Sequence, residues 1–90
     1  MSDDHAVLTF PCRFPIKAMG RAGADLEDTV RALVGEHARE AALPDGAVRV
    51  TQSRNGRFVS VTVTVWATSR AQLDAIYRAL HGHNDVLMTL

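Results

Sequence analysis

Cysteine is almost missing from this chain, which has only Cys12. One thiol forms no intrachain disulfide, so the sequence reads as a protein of a reducing compartment. Net charge is missing as well: ten basic residues cancel ten acidic ones. A nucleic-acid binder ordinarily shows a basic surplus, because neutralising phosphates supplies much of its affinity. The balance counts against such a partner, although a clustered basic patch survives a neutral total. No segment approaches the ~20 apolar residues of a membrane helix. The opening MSDDHAVLTF carries acids where a signal peptide carries basic residues. The expectation is a soluble cytoplasmic protein with no membrane partner.

What is present is enough for one core. Ninety residues make a single domain, too short for two ordinary cores. Hydrophobic residues are 47% of the chain, which places it among globular sequences rather than disordered ones. Nine of the ten basic residues are arginine, which reads, with the many alanines, as genomic composition bias. The expected division is a flexible lead-in over residues 1–12 and one domain over 13–90.

Residues 47–67, AVRVTQSRNGRFVSVTVTVWA, read as two strands joined at Asn55-Gly56. Asn-Gly takes the positive φ angles of a type I′ hairpin. That turn sets Gln52 opposite Val59, Val50 opposite Val61 and Val48 opposite Val63. The valines then share one face, and Phe58, Ser60, Thr62, Thr64 and Trp66 share the other. Before the hairpin, a strand is expected from Phe14 to about Arg21, with Ile16 and Ala18 on one side and Lys17 and Met19 on the other. Gly20 and Gly23 break it. Asp25 reads as a helix N-cap with Glu27 and Asp28 in the first turn. Leu26, Val30, Leu33, Val34 and His37 form the apolar stripe of a helix that fades near Ala41, and Leu43-Pro44-Asp45-Gly46 reads as a turn.

After the hairpin, Ser69 and Gln72 have capping-box spacing. Leu73, Ile76, Tyr77 and Leu80 supply a second buried stripe, Gly82 is a natural C-cap, and Asn84 to Leu90 reads as a final strand. The order is βαββαβ. The expected fold is α+β, a ferredoxin-like plait: a four-stranded antiparallel sheet with two helices on one face. The first and third strands are central, and the second, with Arg49, Gln52 and Arg54, is a polar edge.

Two places attract a functional reading. The first is the open sheet face, where Phe58, Thr62, Thr64 and Trp66 make a hydroxyl ladder with an aromatic at each end. The plain alternative is a solvated face; the sharper one is a partner surface, above all for a second copy of the chain. Lys17 shares the outward side of the first strand. The same face suits single-stranded RNA, through Phe58, Trp66, Arg49 and Arg57, because domains of this plait stack bases on aromatics of the central strands. Here the first strand offers only Phe14.

The second place is the loop of Gly20, Arg21, Gly23 and Asp25 before the first helix. Backbone N–H groups there can hold an anion, but Asp25, Glu27 and Asp28 repel phosphate and leave a small zwitterion such as an amino acid. An ordinary capped turn is the simpler reading. Arg54 and Arg57 flank the hairpin turn and offer an acidic partner a weak contact. His81 and His83 read as a helix cap rather than a metal site. Cys12 has no activating companion. No phosphate loop and no Ser/His/Asp set is present, so neither an enzyme nor a cofactor is expected.

Phe10-Pro11-Cys12-Arg13-Phe14-Pro15-Ile16-Lys17-Ala18-Met19-Gly20 resembles the opening of the YbeD-like bacterial proteins of unknown function. The run from Ser53 to Val65, the set Gln72, Leu73, Ile76, Tyr77 and Leu80, and the closing Val86 to Leu90 correspond as well. The resemblance covers the chain from about Phe10. It implies a ferredoxin-like domain close to the ACT domains, small regulatory modules that bind amino acids at subunit interfaces. It supplies no known activity and no catalytic residue. The fold, the hydroxyl/aromatic face and the missing catalytic set lead to the expectation of a non-enzymatic, ACT-like regulatory or interaction domain with a homodimer or protein partner and a small-molecule effector.

Overall fold

The computed structural model describes residues 8–38 and 45–90. Its elements are β1 (Cys12–Arg21), α1 (Leu26–Ala38), β2 (Val48–Gln52), β3 (Phe58–Ala67), α2 (Arg70–His81) and β4 (Met88–Thr89), with a short 3₁₀ turn at Asp45–Ala47. The strands form one sheet in the order β2-β3-β1-β4, and every neighbouring pair is antiparallel. This is the expected βαββαβ plait, with β1 and β3 central and β2 at an edge. No helix among the described residues is long and apolar enough to cross a membrane.

The core lies between the sheet and the helices. Ile16 and Ala18 of β1 and Val61, Val63, Val65 and Ala67 of β3 meet Leu26, Val30 and Val34 of α1 and Leu73, Ile76 and Leu80 of α2, all of them buried. Strand alternation and helical spacing thus converge on one layer. β1 is longer than expected and begins at Cys12. Leu8 and Phe10 pack against the core, so the expected flexible lead-in is corrected for residues 8–12; residues 1–7 lie outside the described ones. Pro15 sits in the middle of the strand pairing, opposite Thr64. Lys17 turns its N–H and C=O toward β4, bonding Leu90. Pro15, two residues earlier, faces the same way but beyond the end of β4, where no ladder bond needs its missing N–H.

The hairpin keeps its expected register, Gln52 with Val59, Val50 with Val61 and Val48 with Val63, but its turn differs. Only Gly56 has a positive φ, of 74°, whereas type I′ requires two such residues. The Gly56 N–H donates to the Ser53 carbonyl at 2.9 Å, and the Ser53 N–H to the Phe58 carbonyl at 2.9 Å. The loop is therefore four residues, Arg54 to Arg57, still centred on Asn55-Gly56, with Arg54 and Asn55 in the middle of the Ser53–Gly56 turn. Asn55 Oδ1 accepts from the Arg57 N–H at 3.2 Å and from the Ser53 hydroxyl at 3.1 Å. A four-residue loop and a two-residue loop on the same centre give the same pairing, so the register survives the wrong turn type. Arg54 and Arg57 are the first and last residues of this loop.

Asp25 is not the expected N-cap. Its φ is 49°, in the left-handed region, and its carboxylate has no hydrogen-bond partner among the described residues. Only its carbonyl joins the helix, accepting from the Thr29 N–H at 3.1 Å. At α2 the Ser69 cap is real: its Oγ accepts from the Gln72 N–H at 3.1 Å. Gln72 Oε1 takes the N–H of Thr68 at 2.7 Å, one residue before the usual target, and Nε2 donates to the His37 carbonyl at 3.0 Å. One side chain thus ties the start of α2 to the end of α1. Gly82 caps α2 in ordinary right-handed geometry, with φ −80°. The end of α1 expected near Ala41, and the first half of the turn expected from Leu43 to Gly46, fall on residues 39–44, outside the described ones.

β4 is shorter than the expected Asn84–Leu90 but is held from two sides. Leu87 N–H donates to the Met19 carbonyl at 2.8 Å and Leu90 N–H to the Lys17 carbonyl at 2.9 Å. From α2, the Tyr77 hydroxyl donates to the Leu90 carbonyl at 3.1 Å, and His81 Nε2 lies 2.6 Å from the Thr89 hydroxyl.

Candidate functional site

The sheet face away from the helices is built row by row from the pairing. Arg13 lies beside Trp66, Pro15 beside Thr64, Lys17 beside Thr62, Met19 beside Ser60 and Arg21 beside Phe58. β2 adds Arg49 next to Thr62 and Thr51 next to Ser60. β4 adds Met88 beside Met19, and the Leu90–Lys17 bonds continue that register by one row. Along β1 the outward side chains read cation, apolar, cation, apolar, cation. At 3.4 Å per residue, the three cations stand about 14 Å apart. Along β3 they read aromatic, three hydroxyls, aromatic.

This face keeps large apolar groups in water. Trp66 is 51% exposed, Met88 53% and Leu90 66%. Phe58 is exposed and Met19 half-buried. A shallow hollow of about 220 Å³ lies at the Phe58 end, lined by Met19, Thr51, Ser53, Phe58 and Ser60 among others.

The electrostatics are one-sided. The strands contain Arg13, Lys17, Arg21 and Arg49 and no carboxylate, and the turn adds Arg54 and Arg57. Carboxylates sit in the other layer: Glu27, Asp28 and Glu36 on α1 and Asp74 on α2. Asp25 and Asp85 lie in the loops beside them. Among the described residues none of the four strand cations is in an ion pair, whereas on α1 Arg31 pairs with Glu27 at 3.1 Å. Among the described residues, the sheet face is thus basic, while four of the carboxylates lie on the two helices.

Of the residues singled out from the sequence, Phe58, Thr62, Thr64, Trp66, Lys17 and Arg21 come together on this face. Gly20, Gly23 and Asp25 do not. Gly20 is buried on the helix side, where an added Cβ would run into the Asp85 carbonyl oxygen and lie 3.1 Å from Leu26. Gly23 (φ 91°) and Asp25 form the turn into α1. Arg54 and Arg57 lie on the hairpin tip at the Phe58 end. His81 is engaged with Thr89, and His83 Nδ1 accepts from the Asp85 N–H at 3.1 Å. Sequence reasoning put Arg49 on this face but missed Arg13, Met19, Met88 and Leu90 as members of the same surface. A signal existed: residues 5–24 and 46–73 contain no Asp or Glu.

Residues 5–90 match the family described as "Protein of unknown function (DUF493)". A UPF0250 protein of Chromobacterium violaceum is 47% identical over 91 residues, covering 100% of both chains. One from Nitrosomonas europaea is 40% identical and covers 97% of this chain and 98% of its own. The solution structure of protein HP0495 from H. pylori matches with a TM-score of 0.70 at 17% identity, covering 100% of this chain and 94% of that one. That likeness concerns the fold.

Proposed function

The chain belongs to the DUF493 family of proteins of unknown function, and from that premise we propose a non-enzymatic, ACT-like regulatory or interaction module whose open sheet face is covered by a partner protein. The composition of that face carries the reading. Protein interfaces are enriched in aromatics, Met and Arg and depleted in Asp and Glu, and this face is made of Trp66, Phe58, Met19, Met88, Leu90 and three arginines with no carboxylate. Covering the exposed half of Trp66 removes on the order of 100 Å² from water, about 2–3 kcal/mol. A second copy seated face to face would oppose the four strand cations to themselves. Self-association is better served by the free edge of β2. The lone Cys12 supports a cytoplasmic setting for the partner.

The test is radical footprinting of the methionines. Met19 and Met88 should be protected from oxidation when the cell is labelled intact and become reactive in the purified chain. Equal oxidation in both settings would show a solvated face and end this reading.

A second reading, a small zwitterionic effector, has its own observation. A hollow of about 110 Å³ between the β1–α1 turn and the α2–β4 loop is lined by Arg21, Ala24, Asn84, Asp85 and Leu87. Arg21 and Asp85 both line this small site, and Asp85 would take the acidic role expected of Asp25 or Asp28. A melting-temperature screen against free amino acids tests it; no shift with any of them removes it.

A further inference from the structure

The arrangement of charge on the open face says what chemistry its partner has. We infer that the partner presents an acidic protein segment in which carboxylates alternate with apolar side chains. This rests on the open face being the docking surface. Arg13, Lys17 and Arg21 alternate with Pro15 and Met19 along β1, and Arg49 stands two strands from Lys17, about 10 Å away. These cations have no carboxylate partner among the described residues, so a docked segment that carries carboxylates finds its complementary charge unengaged by them. Electrostatic complementarity of this kind steers association and rejects basic or neutral competitors.

The gaps between the cations are filled by groups that bury well rather than by further charge. Met19 and Met88 are adjacent across β1 and β4, and methionine adapts its shape to an apolar guest. The hollow beside Phe58 is open to receive one such side chain. Single-stranded nucleic acid fits less well. Bases stack on aromatic platforms spaced along the strand, but Phe58 and Trp66 lie eight residues apart, about 27 Å, with hydroxyls, Lys17 and Met19 between them.

Fluorescence anisotropy with defined probes decides the matter. The probes are a labelled peptide of about 16 residues rich in Asp and Glu with interspersed Leu and Phe, its Asn/Gln isostere, and an oligouridine of about 12 nucleotides. Emission of Trp66, the only tryptophan, reports contact at the face. The expected result is binding of the acidic peptide at least about tenfold tighter than the isostere, weakening as salt rises from about 50 to 300 mM. The double variant Lys17→Glu with Arg49→Glu should keep its melting temperature, lose the acidic peptide and gain affinity for a Lys-rich counterpart. Equal binding of the isostere would overturn the acidic assignment and leave the docking face standing. Tighter binding of oligouridine would overturn it in favour of nucleic acid. Binding of none of the probes would also overturn it, and the methionine footprint then separately decides whether the docking face survives.

Discussion

The two faces of the same central strands differ in almost every respect. On β3 the odd positions, Val59 to Ala67, turn toward the helices and form the middle of the core; the even positions, Phe58 to Trp66, carry hydroxyls and exposed aromatics. On β1 the even positions Ile16 and Ala18 are fully buried, while Arg13, Lys17 and Arg21 point out on the odd ones. Strand geometry separates the two roles by a single residue step. The core and the exposed basic face are thus written on one ribbon without competing for the same side chains.

The sharpest way to break this comparison is to place one charge on each side of that step. Val63→Asp would bury an unpaired carboxylate in the sheet–helix layer and should cost more than about 4 kcal/mol, enough to leave much of the chain unfolded by circular dichroism. Thr62→Asp, its neighbour, would set a carboxylate between Lys17 and Arg49. Its stability should rise or stay within about 1 kcal/mol in urea unfolding, while binding of the acidic peptide falls. If both variants were equally damaged, the open face would be structural.

Gly20→Ala comes next in size. The new Cβ meets the Asp85 carbonyl and Leu26, and overpacking of this kind costs about 1–3 kcal/mol. Because that contact joins β1 to the loop before β4, the variant should also loosen β4 and expose the Leu87 and Leu90 amides to hydrogen exchange. Ser69→Ala removes a true helix cap and should cost about 1 kcal/mol in urea unfolding. It lies on the helix side, so acidic-peptide affinity should not change, and a change would mean that the two layers are coupled.

The smallest expected effect concerns Tyr77, which holds β4 from beneath. Its pKa is raised by burial of the phenol, so folding favours the neutral form. The associated stability is fully present below the ordinary tyrosine pKa of about 10 and is lost as pH rises through the raised folded value. Urea midpoints should therefore fall above about pH 10 in the native chain, and this fall should be shallower in Tyr77→Phe. The variant should lose about 0.5–1.5 kcal/mol near neutral pH with the hydrogen bond to Leu90. Parallel alkaline profiles for the two chains would rule out Tyr77 as the source.

Much of this is legible in the amino-acid sequence. The valine alternation placed the hairpin register, because a one-residue slip would turn every valine into water. Helical spacing picked out Val30, Val34, Leu73, Ile76 and Leu80, and the Ser69 cap followed from its distance to Gln72. The turn type was not legible, because the four-residue loop is held by side-chain bonds that the Asn-Gly pair does not announce: Asn55 Oδ1 accepts from the Arg57 N–H and Ser53 Oγ from the Phe58 N–H. Asp25 misled for a related reason: its position suits a cap, but Gly23 and Asp25 both turn left-handed to bring the chain from β1 into α1. The second hydrogen bond of Gln72, to His37 thirty-five residues away, has no local signal.

The candidate face divides in the same way. Phe58, Thr62, Thr64 and Trp66 followed from one strand, because side-chain alternation is a property of the chain itself. Arg49 followed from the hairpin register, but their union with Arg13, Met88 and Leu90 did not. It depends on which strands lie side by side and how far each is slid, and long-range packing and backbone hydrogen bonds decide both. The sequence by itself determined two sidedness patterns, one apolar and one free of acid. Only the tertiary structure stacked them across four strands, because the helices could cover one side of the sheet and left every outward row on the other.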